Sequence, residues 1–228
     1  MPTRRITRSP VKVTGTAPDD QAFESTLEED FFVLLRFNRL VERFESQSVT
    51  VEWLDESNKV RTYTPDVLVY YRQDIPESAN WPPVLCEVKP DLNDTSESPR
   101  RRMPPRKENE AENQLKWAAA TRYAAKRGWE FKVVRESEIR TPYFKNARFL
   151  LRYLERGLES RYESDLLEAL AKQGSLSLGA WAGTRASSLE ERARVLPACY
   201  RLIASQRVEV DLMKQLTLNS VVKAIANA

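Results

Sequence analysis

The chain contains no histidine. That excludes a Ser-His-Asp triad, a histidine-activated cysteine and any metal site with imidazole ligands. It has two cysteines, Cys86 and Cys199, far apart in sequence. A disulfide scaffold and a thiolate zinc site both need more. Any metal held here must therefore sit on carboxylates and carbonyls, a donor set that favours magnesium or manganese over zinc. No window approaches the 18 consecutive apolar residues of a membrane span. Arg4, Arg5 and Arg8 near the start have no apolar segment behind them, which does not read as a secretory signal, and a cytoplasmic location is the expectation. The net charge is only +3 over 228 residues, too small by itself to indicate a nucleic-acid partner.

How the charge is distributed says more than its sum. Residues 99–107 concentrate Arg100, Arg101, Arg102, Arg106 and Lys107 around prolines. Such a run reads either as a solvated loop or as a grip on backbone phosphates. Residues 1–19 read as a flexible basic tail, with phosphate contact as the functional alternative.

Asp19 or Asp20 could cap a helix over residues 21–37, where Phe23, Leu27, Phe31, Leu34 and Leu35 recur at three- and four-residue intervals. Glu24 and Glu28 share a side of it. Residues 48–54 alternate Val49, Val51 and Trp53 with polar residues, 55–58 read as a turn, and 59–71 return as a long second strand interrupted at Pro65. A short apolar strand over 83–89, an exposed loop over 90–105, a helix over 106–126 ending at Gly128, a strand over 129–134 and a helix over 144–156 follow. This order predicts an α/β fold, a mixed sheet with helices on its faces. Residues 157–160 look like a boundary. Beyond it, three short helices and a strand-like piece at 207–212 could enclose a small core from Leu166, Leu170, Leu189, Val195, Leu202 and Ile203 among others. Trp53, Trp117, Trp129 and Trp181 are expected in cores, whereas Trp81 sits ambiguously among prolines. There are no internal repeats.

Phosphodiester cleavage without histidine can run on a carboxylate-bound divalent ion, which neutralises phosphate charge and generates the nucleophile. The protein then needs two or three convergent acids and a cation. Pro65-Asp66 is followed, after 20 intervening residues, by Glu87-Val88-Lys89. Strand residues two apart share a face, so Glu87 and Lys89 project together, and a break at Pro65 can aim Asp66 toward Glu87. Each string is common by chance, and alternating charges on a strand are usually a solvated face. Their placement on expected strands, below a glutamate-bearing helix and before a basic segment, points to a site.

The pattern resembles the PD-(D/E)xK nuclease superfamily, with its restriction-endonuclease-like fold. The resemblance narrows further. Glu24-Ser25-Thr26-Leu27-Glu28, residues 41–47 (Val-Glu-Arg-Phe-Glu-Ser-Gln), residues 63–69 (Tyr-Thr-Pro-Asp-Val-Leu-Val), Glu87-Val88-Lys89-Pro90, Gly128-Trp129-Glu130-Phe131 and Glu138-Ile139 together resemble TnsA, the endonuclease subunit of Tn-seven-like transposons, including CRISPR-associated ones. The likeness covers roughly residues 20–155. It implies a nuclease domain over 20–157 and a small, mainly helical winged-helix-like domain over 158–228. It implies that Glu28, with Glu24 as rival, Asp66 and Glu87 bind Mg2+, with Mn2+ as a substitute. Lys89 would orient water or steady developing charge. Glu87 fills a position held by glutamine in some members and an acid in others. Gln47 matches a recurring glutamine, read as structural, and Pro65 a position that need not be proline. The implied activity is nicking double-stranded DNA at the 5′ ends of a transposon. A DDE transposase (TnsB) cuts the 3′ ends, and an AAA+ ATPase (TnsC) couples both to target selection. The second domain would contact the ATPase and DNA, or merely pack. No base-reading motif is present, so end recognition is assigned to the transposase. Two rival readings share these residues: a stand-alone restriction or repair nuclease, and an inactive nuclease-fold adaptor that binds DNA or the ATPase.

Overall fold

The computed structural model describes residues 15–16, 21–23, 25–91, 110–155 and 161–225. The chain divides into two compact units. The described residues up to Leu35 together with Leu40–Ile139 form the first; Arg36–Arg39 and the described residues from Arg140 onward form the second.

The first unit begins with a two-residue antiparallel pair, β1 (Gly15–Thr16) and β2 (Ala22–Phe23). Helix α1 (Thr26–Phe37) follows. It starts five residues later than the apolar spacing suggests, because Ser25 accepts from the Glu28 N–H at 3.2 Å and so caps the helix there. Then come β3 (Val41–Ser46), β4 (Val51–Leu54), β5 (Val60–Tyr63), β6 (Val67–Tyr71), β7 (Val84–Lys89), α2 (Glu110–Ala125), β8 (Glu130–Arg135) and the single-turn α3 (Glu136–Ile139).

Strands β4 and β5 form the expected hairpin, but the long second strand is two strands. Thr64, Pro65 and Asp66 separate β5 from β6. A proline cannot donate to a ladder, and the chain uses that interruption to leave one sheet and enter another. Strand β6 lies inside a four-stranded sheet ordered β3-β6-β7-β8, in which β6 pairs antiparallel with β3 and β7 while β7 pairs parallel with β8. This is the mixed sheet of a restriction-endonuclease-like fold. Strand β3, with its register shift between Val41 and Arg43, is an edge that the apolar pattern does not announce.

The period of two divides the sheet's faces cleanly. Val67, Val69, Cys86, Val88 and Val134 join Leu27, Phe32, Leu35 and Phe44 in one core. Leu68 and Leu85 turn the other way, toward Val49, Val51, Trp53 and Ala119 of α2. Glu87 and Lys89 continue the Leu85 face, so the candidate site grows from the β4–β5 and α2 side of the sheet. Gly128 closes α2 with φ +69°, a left-handed conformation that favours glycine.

The second unit contains α4 (Pro142–Glu155), α5 (Glu163–Gln173), β9 (Ser175–Ser177), α6 (Leu178–Gly183), α7 (Leu189–Ala204), β10 (Val208–Val210) and β11 (Val221–Ala224). Three helices, α5, α6 and α7, and an antiparallel sheet ordered β10-β11-β9 give the winged-helix-like arrangement. Trp181 is fully buried there and donates its indole N–H to the Leu166 carbonyl at 2.8 Å. Leu189 does not join this core: it is 81% exposed, at the first position of α7. The boundary between the units falls after Ile139, ahead of residues 157–160, because α4 packs on α7 through Phe149 and Tyr153 against Tyr200, with ring centroids 4.9 and 5.1 Å apart. Trp53 is buried as expected, but Trp117 and Trp129 are only half-buried, each with an arginine over its ring. No described helix is long and apolar enough to cross a membrane.

Candidate active site

Three elements bring four side chains of the sequence pattern together. Glu28 stands in the first turn of α1, 8% exposed, and accepts from the Ser25 hydroxyl at 2.8 Å. Ser25 and Glu28 thus lock each other at the helix start, a variant of the capping box. Glu24, the rival, lies outside the described residues, as do Arg100, Arg101, Arg102, Arg106 and Lys107.

Asp66 sits where the chain changes sheets. The β6–β7 register pairs Val67 with Cys86 and Leu68 with Leu85. Extended by one residue, it sets Asp66 opposite Glu87. The Asp66 carboxylate accepts the Val88 N–H at 2.6 Å, a side chain taking the place of a ladder carbonyl. Its backbone is held too: Gln47, buried and with φ +48°, donates its N–H to the Asp66 carbonyl at 2.8 Å. That bond is made by the backbone, so it fixes the turn ahead of Asp66 without calling on the glutamine side chain.

Glu87 is 8% exposed and pairs with Lys89 at 2.9 Å through Oε1. Its Oε2 is buried with no hydrogen-bond partner among the described residues. Burial, then the charges of Glu87 and Glu28, push the Asp66 carboxyl well above the usual carboxylate range, against the opposing pull of the Val88 N–H and Lys89. Burial also raises Glu87, although Lys89 counters it. Asp66 and Glu87 therefore share a poorly solvated place, with the charge of Glu28 beside them.

Sequence reasoning overlooked the surroundings. Tyr63, the last residue of β5, packs against the Val51, Leu68 and Leu85 core, and its hydroxyl is buried without a partner. Burial, then Glu87 and Asp66, hold its proton on more firmly than in water. On a strand, a tyrosine looks like any core aromatic, and nothing in its spacing marks it. Arg135, paired with Lys89 in the parallel register, donates to the Pro90 carbonyl at 3.1 Å and so steadies the end of β7.

Among the described residues, no three acidic or cysteine side chains already form a cage for an ion. The donor set nevertheless fits a hard divalent cation: carboxylate oxygens only, clustered like charges, and one buried oxygen lacking any donor. Cys86 plays no part in such chemistry. It faces the opposite core, and burial pushes its thiol up to about 12.

Residues 38–136 match the family model described as TnsA-like endonuclease N terminal. The match includes Asp66, Glu87 and Lys89 and begins after Glu28. No curated protein matches the chain. The strands and helix that carry Asp66, Glu87 and Lys89 thus lie within a stretch that matches a TnsA-like endonuclease N-terminal domain.

Proposed function

We propose that this chain is a Mg2+-dependent endonuclease that nicks the 5′ ends of a transposon during cut-and-paste transposition. Partners cut and join the 3′ ends and select the target. The observation that carries this reading is the placing of half-buried Asp66 opposite Glu87, with Glu87 and Glu28 both buried, a cluster of like charges that a divalent cation would relieve. Glu28, Asp66 and Glu87 would hold the ion, and Mn2+ would substitute for Mg2+. When bound, it supplies charge neutralisation at the phosphate and lowers the pKa of an attacking water. Lys89 keeps Glu87 oriented through their 2.9 Å pair and adds positive charge where the scissile phosphate gains negative charge. Gln47 and the Val88 N–H keep Asp66 from swinging away.

The partners proposed are a DDE transposase of the TnsB kind and an AAA+ ATPase of the TnsC kind, with the second unit as a candidate contact for the ATPase. The deciding assay uses DNA carrying paired transposon ends and Mg2+, with and without the transposase. Breaks at the 5′ ends that require both proteins are expected. Cleavage of unrelated DNA by the chain alone would move the assignment to a stand-alone nuclease. No cleavage in any mixture, even with Mn2+, would leave an inactive adaptor.

Arg100, Arg101, Arg102, Arg106 and Lys107 are proposed to grip backbone phosphates, which gives affinity without sequence choice. Replacing Arg100, Arg101 and Arg102 by alanine should then flatten the salt dependence of DNA binding by roughly 0.9 log units per log unit of salt for each phosphate no longer gripped. A slope equal to that of the unaltered chain would mark the run as merely solvated.

A further inference from the structure

Strand β5 ends on one more polar group close to the carboxylates, Tyr63. Tyr63 lies opposite Val51 in the hairpin, and its ring packs against the cluster that contains Leu68 and Leu85. Those two leucines stand two residues from Asp66 and from Glu87 on the same sheet face. The ring alone would serve this core, so a phenylalanine would suffice for packing. The hydroxyl adds a buried donor with no acceptor among the described residues. An unsatisfied buried polar group is costly unless something pairs with it. Glu87 Oε2 is the complementary case, a buried acceptor with no donor. Both Glu87 and Asp66 lie within electrostatic reach of the tyrosine. A buried donor and a buried acceptor beside the same carboxylate cluster leave a place for a small ligand that can use both.

We infer that Tyr63 is a positioning residue of the active site, its hydroxyl donating a hydrogen bond to the water that also engages Glu87 Oε2. The hydroxyl would fix the direction of that water's lone pairs and steady Glu87 in turn. Such outer partners of a metal site typically alter affinity or activity 10–100-fold when removed. The inference rests on the divalent-ion reading of Glu28, Asp66 and Glu87.

The test is calorimetric titration of the full chain with Mn2+ alone, comparing the unaltered protein, Tyr63→Phe and Asp66→Ala, with thermal melts of each in EDTA. Tyr63→Phe should raise the Mn2+ dissociation constant about tenfold. Its metal-free melting temperature should stay level or rise, because the hydroxyl has no partner to lose among the described residues. An Mn2+ affinity within twofold of the unaltered chain overturns the inference. So does a metal-free melting temperature lower by more than about 3 °C, which would reveal a protein partner for the hydroxyl. Asp66→Ala separates the two layers. If it loses Mn2+ while Tyr63→Phe keeps it, only the role of Tyr63 falls. If Asp66→Ala binds Mn2+ unchanged, the ion site itself is misassigned.

Discussion

Asp66→Ala is expected to abolish 5′-end cleavage, by about three orders of magnitude or more, since an ion's stabilisation of the transition state is several kcal/mol and each 1.36 kcal/mol is tenfold in rate. Cleavage of the 3′ ends by the transposase should persist. The transposition products should then change from simple insertions to cointegrates, in which donor and target stay joined. Sequencing of product junctions reads both. The same substitution should not unfold the protein. Asp66 is held at a cost in the metal-free state, because burial and two neighbouring carboxylates disfavour its charge. Removing it relieves that cost, although it also leaves the Val88 N–H without its 2.6 Å acceptor. The midpoint of metal-free unfolding should therefore move little. If 5′ cuts persist in the Asp66→Ala protein, the aspartate is not at the reacting phosphate.

The second large effect is a coupling of stability to pH and metal. Folding raises the carboxyls of Asp66 and Glu87 above their unfolded values, chiefly by burial. The folded state therefore holds protons there that the unfolded chain releases at lower pH. The metal-free protein should accordingly lose stability as pH rises from the ordinary carboxylate range, near 4, toward the raised folded values. A divalent cation should reverse the trend at neutral pH, where it replaces the missing protons as counter-charge. At one hundred times its dissociation constant it stabilises by about 2.7 kcal/mol, which for a chain of this size is roughly 5–10 °C in melting temperature. Near pH 4 protons compete with the ion, and the increment should shrink. Melting curves from pH 4 to 8, with EDTA and with Mg2+, check both limbs. A Mg2+ increment independent of pH, or its survival in Asp66→Asn, would place the ion elsewhere.

The spacing of Pro65-Asp66 and Glu87-Val88-Lys89 makes the chemistry legible in the sequence alone, because the period of two in a strand translates directly into faces. Helix α2 and strand β8 are equally plain: each is local, and Gly128 punctuates them. What the chain order hides is pairing at a distance. Strand β3 offers Val, Glu, Arg, Phe, Glu and Ser, with only Phe44 and Ser46 buried. Its membership follows from β6, some 25 residues away, not from its own pattern. Strands β9 and β11 are three and four residues long, too short to display alternation, and each exists because the other is near. Pro65 announces an interruption, but not that the chain changes sheets there. Leu189 misleads because an apolar residue at a helix start resembles a core position, yet it stands exposed. Tyr63 escapes notice for the opposite reason. Its ring obeys the hydrophobic pattern, and only its hydroxyl departs from it.

The bond from the Val88 N–H to the Asp66 carboxylate has a consequence for how this domain can vary. A single-residue slip of β7 would exchange its two faces, carrying Cys86 and Val88 into the acidic pocket and Glu87 and Lys89 into the opposite apolar core. The acid that serves the chemistry also pins the alignment of the neighbouring strand. Insertions and deletions within Val84–Lys89 should therefore be rejected by function and by folding together, so that natural length variation is pushed out of this strand and into the segments that border it.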